Sequence, residues 1–115
     1  SLKIPLYTEV YEIDGPYFFG IANKFDDISR RTHSGEQKVR IIRMRKVSFI
    51  DSTGIHNLEQ LHLRLQRDGI QLVLSGVNEK VFSTLDKAGL VNKIGRENVL
   101  SHINAALARA AELVK

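Results

Sequence analysis

Among the 115 residues of this chain, the stretch Asp51-Ser52-Thr53-Gly54 is the one best equipped for chemistry. An apolar run, Val47-Ser48-Phe49-Ile50, leads into an acid, two hydroxyls and a glycine, and a helical pattern begins at Ile55. This order places hydroxyls at a helix N-terminus, where first-turn N–H groups lack intrahelical partners and the helix dipole is positive. An anion or a phosphorylated side chain is favoured there. Ser52 reads as the N-cap, an ordinary role for serine, with Thr53 in the first turn. The chemistry implied is regulatory or anion-linked.

Catalysis and metal binding find little support in the same residues. A hydrolytic triad built from Asp51, Ser52 and a histidine needs an oriented base and an oxyanion hole, and the spacing supplies neither. No catalytic residue is therefore assigned. His56 and His62 lie about 120° apart around a helix and do not converge on one metal ion, so both read as surface or boundary positions. Leu63 falls across the helix from Leu58, Leu61 and Leu65; its expected exposure groups it with Thr53 and His56 as a partner contact.

Lys38, Arg40, Arg43, Arg45 and Lys46 form a basic run that strand alternation divides between two faces. By default it is a solvated edge, with charge suited to phosphate, a nucleotide or an acidic partner. No Gly-x-x-x-x-Gly-Lys-[Ser/Thr] loop is present, and aromatic residues do not interleave with the basic ones. Nucleic acid is thus not an expected partner, and nucleotide or anion binding is expected to be weak at most. No cofactor and no metal are expected.

The elements that must position these residues follow from periodicity. Tyr7 to Ile13 alternates as a strand and Asp14-Gly15-Pro16 turns it. Tyr17-Phe18-Phe19-Gly20 is a second short extended piece, and Ile21, Phe25 and Ile28 recur at helical spacing before a polar loop, Thr32 to Gly35. Val39 to Met44 has apolar residues on both faces, the mark of an interior strand. A helix from Ile55 ends at Asp68-Gly69, and Gln71 to Val77 forms the next strand. Asn78 caps a helix that turns Val81, Phe82 and Leu85 inward and ends at Gly89. Glu97 to Lys115 reads as a final amphipathic helix with Val99, Ile103, Leu107, Ala110 and Val114 in its stripe.

Strands alternating with helices after residue 38 imply β-α-β units, and the two opening strands can form an antiparallel edge. The fold class is α/β: a small mixed, partly parallel sheet of roughly four or five strands with about four helices. A chain of this length fits one domain, residues 1–115. Hydrophobic residues make up 43% and charged residues 26%, which argues against general disorder. The absence of cysteine excludes disulfides and thiol chemistry, and the net charge of +4 gives a weak preference for anions. No run approaches the roughly 18 apolar residues of a membrane span, so the chain as it stands reads as soluble. A start at Ser1 rather than methionine suggests a piece excised from a longer protein.

Phe49-Ile50-Asp51-Ser52-Thr53-Gly54-Ile55 resembles the signature Asp-Ser-[Ser/Thr]-Gly-[Leu/Ile] of the STAS domain, shared by anti-sigma factor antagonists and the cytoplasmic tails of SulP-type anion transporters. Leu74-Ser75-Gly76-Val77 and Leu85-Asp86-Lys87-Ala88-Gly89-Leu90 are similar to the later strand and helix of that family. Ile13-Asp14-Gly15-Pro16-Tyr17-Phe18-Phe19-Gly20-Ile21-Ala22 with Phe25, and Arg43-Met44-Arg45, resemble the transporter branch. The resemblance implies a non-enzymatic regulatory domain on the cytoplasmic side of the inner membrane, attached to the membrane domain of a bacterial sulfate or related anion transporter. It implies a regulatory protein as a further partner, and Thr53 as the residue corresponding to the family's phosphorylated serine. Asp51, Ser52 and Gly54 complete the motif. The alternative that the resemblance leaves open is a free-standing anti-sigma factor antagonist controlled by phosphorylation.

Overall fold

The computed structural model describes residues 3–14 and 37–115. The extended piece expected at Tyr17 to Gly20 and the helix expected over Ile21 to Ile28 lie outside the described residues, and with that piece the second member of the expected antiparallel edge. Within them the strands are β1 (Thr8–Asp14), β2 (Val39–Lys46) and β3 (Gln71–Ser75). The helices are α1 (Ser52–Arg67), α2 (Glu79–Lys87), α3 (Leu90–Ile94) and α4 (Ile103–Leu113), with a 3-10 turn at Arg96–Asn98. The class is α/β as expected, with three strands among the described residues against the roughly four or five anticipated.

The sheet order is β1-β2-β3 and both pairings are parallel. Thr8 lies opposite Val39 and Val39 opposite Gln71; the β1 register shifts by a bulge between Glu12 and Asp14. The carbonyl of Tyr7, a residue held at φ 60°, accepts from the N–H groups of Lys38 and Val39 at 2.8 and 3.1 Å and starts the ladder. The other side of β3 is closed by one parallel bridge between Leu74 and Val99, with Leu100 N–H donating to Leu74 O at 2.9 Å. A free sheet edge is thereby covered.

Being paired on both sides, β2 must be apolar on both faces, which is how its sequence reads. Ile42 and Met44 pack with Leu58, Leu61 and Leu65 of α1 and with Val81, Leu85, Leu90, Val91 and Ile94 of α2 and α3. Val39 and Ile41 face the other way and pack with Val73 against Ala106 and Ala110 of α4. Small alanines let α4 sit close on that face, and half-buried Ile103, Leu107 and Val114 flank them.

Two boundaries differ from expectation. The final helix begins at Ile103 rather than near Glu97, because Val99 is taken by the bridge to Leu74 and Asn98 by side-chain bonds. Asn98 is buried; its amide donates to Ile94 O at 2.8 Å and its oxygen accepts from Arg109 Nε at 2.8 Å, which ties the 3-10 turn to α4. Likewise β3 stops at Ser75, because Gly76 turns the chain at φ +69°.

At Gly76 an added Cβ would come within 2.7 Å of the Arg45 backbone nitrogen and 2.9 Å of its Cα. Neither atom is at the end of a flexible side chain, so left-handed strain and a backbone clash add. Gly76→Ala is expected to lower the unfolding free energy by about 2–4 kcal/mol, read from the urea midpoint at unchanged slope.

Candidate functional site

The residues from Val47 to Gly54 connect the end of β2 to α1. Val47 and Ile50 are buried and act as anchors, whereas Ser48 and Phe49 are exposed, so Val47-Ile50 is an anchored loop and not the strand end that its composition suggests. The loop is fixed from a neighbouring helix. Asn78 Nδ2 donates to Val47 O at 3.1 Å while Asn78 Oδ1 accepts from Val81 N–H at 2.7 Å, so one amide both caps α2, as expected, and pins the approach to α1.

Asp51, not Ser52, is the N-cap of α1. Its backbone is extended and its carboxylate accepts from Gly54 N–H at 2.8 Å. The expectation that Ser52 caps the helix is corrected by one position: the motif's acid reaches the orphan N–H and leaves the serine in the first turn. Ser52 and Thr53 are both exposed, and neither hydroxyl is engaged in a hydrogen bond among the described residues. Gly54 is buried at the third helical position.

This geometry changes what the helix start does. Its N–H groups already face a carboxylate, so a free anion would meet charge repulsion from Asp51. The two hydroxyls are instead presented outward on a fixed frame, accessible to a modifying enzyme or a partner. At about 100° per residue, Ser52, Thr53, His56 and Leu63 fall within an arc of roughly 100° on the solvent side of α1. His56 is exposed and Leu63 is 42% exposed, as their helical phase requires. Phe49, 43% exposed beside Asp51, adds an apolar side chain that its place in a hydrophobic run had concealed.

His62 belongs elsewhere. It is 7% exposed and lies in the buried stripe with Leu58, Leu61 and Leu65, correcting its assignment to the surface or boundary. Burial pushes its imidazole below the ordinary histidine range, with Glu59 opposing and Lys93 adding to the shift. Glu59 pairs with Lys93 of α3, whose hydrogen bond lowers the Glu59 carboxyl. Among the described residues no group of three or more His, Cys, Asp or Glu side chains could hold a metal ion.

The basic run is divided as alternation requires, but it is not one solvated edge, because β2 is central. Arg40 is fully buried, lies 5.3 Å from the Tyr11 ring centroid and donates to Gln37 Oε1 at 3.3 Å. Arg45 and Lys46 are exposed and converge on Glu12 at 3.1 and 3.4 Å. The Arg45 hydrogen bond, aided by Lys46, holds the Glu12 carboxyl below its usual range. Arg43, on the α4 face, is half-buried and makes no ion pair among the described residues.

A family profile described as STAS domain matches residues 3–110. The chain is 39% identical to a sulfate transporter family protein from Wolinella succinogenes, with a TM-score of 0.87 over 98% of this chain and 92% of that one. Against the SulP transporter STAS domain from Vibrio cholerae the identity is 32% and the TM-score 0.87, covering 97% of this chain and 87% of the other. Probable sulfate transporter 4.2 of Arabidopsis thaliana is 32% identical over 100 residues, 76% of this chain and 15% of the relative's length. The chain thus spans less than a fifth of that curated relative.

Two stability measurements test this geometry. Asp51→Ala should cost about 1 kcal/mol through loss of the cap, whereas Ser52→Ala should stay within about 0.5 kcal/mol of the parent in urea unfolding. The lowered His62 imidazole means that the folded state binds fewer protons than the unfolded one. Stability from this group is fully present above the ordinary value of 6.5 and is lost as pH falls through it toward the depressed folded value. Unfolding free energy should therefore decline between neutral pH and the onset of carboxylate titration, and His62→Gln should flatten that decline.

Proposed function

The chain belongs to the STAS domain family, and we propose that it is the cytoplasmic regulatory domain of a SulP-type sulfate or related anion transporter, working through protein contacts rather than catalysis. The observation that carries this reading is the pair of exposed, uncommitted hydroxyls, Ser52 and Thr53, on a helix start fixed by Asp51 and Asn78. The relatives named as sulfate transporters support attachment to a membrane domain. No helix among the described residues is long and apolar enough to cross a membrane, so the contact with such a domain would be made at this domain's surface.

Phosphorylation is the proposed input, at Thr53 or at Ser52, which its release from capping makes equally available. A phosphate adds about −1.5 to −2 charges at neutral pH. Placed next to the Asp51 carboxylate, that charge is directed away from the helix and toward whatever docks on the Phe49, His56 and Leu63 surface. The transporter would respond because docking favours one of its conformations over another.

The test is uptake by the full-length transporter at equal membrane abundance. Thr53→Glu or Ser52→Glu should shift sulfate uptake by about fivefold or more relative to the alanine variants, the low end of ordinary coupling energies. Unchanged uptake in all four variants would sink the control-point reading. A reading frame that encodes this domain alone would instead favour the anti-sigma factor antagonist.

A further inference from the structure

On the sheet face opposite α1, at the carboxyl ends of β2 and β3, a cleft of about 130 Å³ is lined by Arg43, Arg45, Ser75, Ser101, His102 and Ile103, with Gly76 at its edge. Arg43 and Ser75 are register partners on adjacent parallel strands and face the α4 layer together. We propose that this cleft is a binding site for a small tetrahedral oxyanion of the sulfate or hydrogen phosphate class, held by Arg43, the Ser75 hydroxyl and the first-turn N–H groups of α4.

Two independent observations carry the assignment. Ser75 is 1% exposed and its Oγ is buried without a hydrogen-bond partner, an arrangement that ordinarily costs about 1–3 kcal/mol and calls for an acceptor or donor in the cleft. The cleft also receives the N-terminus of α4, an 11-residue helix whose N-cap, His102, makes no side-chain cap bond and whose first turn contains no acid. Its first free N–H groups and dipole therefore remain available to an anion.

The charges fit a dianion. Arg43 is half-buried and has no ion-pair partner among the described residues, so its guanidinium can present two N–H groups to one oxyanion. Arg45 also lines the cleft but is paired with Glu12, the β1 register partner of Arg43, so the carboxylate beside the site is held by Arg45 and Lys46 and not by Arg43. At about 130 Å³ the cleft is below the roughly 300–1,000 Å³ of pockets that take larger organic ligands, which favours a small ion over a nucleotide. Crevices outside the carboxyl ends of strands are where open α/β sheets bind ligands. The site shares no residue with the Asp51 helix start, so it stands or falls apart from the phosphorylation reading.

The experiment is titration of the 115-residue chain with sodium sulfate, sodium phosphate and, at matched ionic strength, sodium chloride, followed by amide chemical shifts and calorimetry. Saturable binding of sulfate or phosphate, with shifts confined to Arg43, Ser75 and Ser101 to Ala105, is expected. Arg43→Ala should weaken it about tenfold or more and Ser75→Ala about three- to tenfold, while Lys80→Ala on α2 leaves it unchanged. Should Arg43→Ala fail to fold, Ser75→Ala carries the same decision, since it removes only one hydroxyl. A response that chloride reproduces, shifts centred on Ser52 to Gly54, or equal loss in Lys80→Ala would overturn the assignment.

Discussion

The structure depends on the double enclosure of β2. Its backbone is paired on both edges and its side chains are buried on both faces, so each of its residues has one allowed direction. A slip of one residue would drive Arg43 into the α1 layer and Ile42 out of it, which the parallel register forbids. This is why a strand with five basic residues in or beside it can still be central. Arg40 lies against the Tyr11 ring, Arg45 and Lys46 share Glu12, and Arg43 faces a cleft with no ion pair among the described residues.

From the end of β2 the chain is passed to α1 by a loop that lacks regular hydrogen bonding of its own. Val47 and Ile50 anchor it in the core, and the Asn78 amide satisfies the Val47 carbonyl from another helix. The hydroxyls of the helix start therefore sit on a frame with few degrees of freedom, although the residues between the anchors are exposed. Under the proposed reading, a modification there would change the charge on a surface already fixed in place. It need not reshape the domain.

Much of this was legible in the sequence because the dominant signals were local. Apolar runs marked β2 and β3, helical spacing marked α1 and α2, and the Asn78 cap followed from its position before Val81 and Leu85. The misreadings came where a tertiary partner outbid a local rule. Val99 continued a helical stripe in sequence but is held by Leu74 across the sheet edge. His62 has a polar side chain, yet the helical phase it shares with Leu58 and Leu65 buries it. Ser52 had the right residue type for a cap, but the preceding aspartate has the extended backbone and the reach. Ser75 gave no signal at all, since a serine ending a strand is ordinary until its hydroxyl is found buried without a partner.

The starts of α1 and α4, both near the carboxyl end of the sheet, are electrostatically unlike, and the difference follows from single residues. Asp51 places a carboxylate on the Gly54 N–H of α1, so positive potential there is already answered and added charge must act outward. At α4 the cap position is a histidine that makes no cap bond, the first turn has no acid, and an unpaired arginine lies across the cleft. An anion gains from that end what Asp51 denies it at the other. The two starts lie on opposite faces of one sheet and differ in what they expose: α1 leaves two hydroxyls outward, and α4 leaves first-turn N–H groups for the proposed oxyanion.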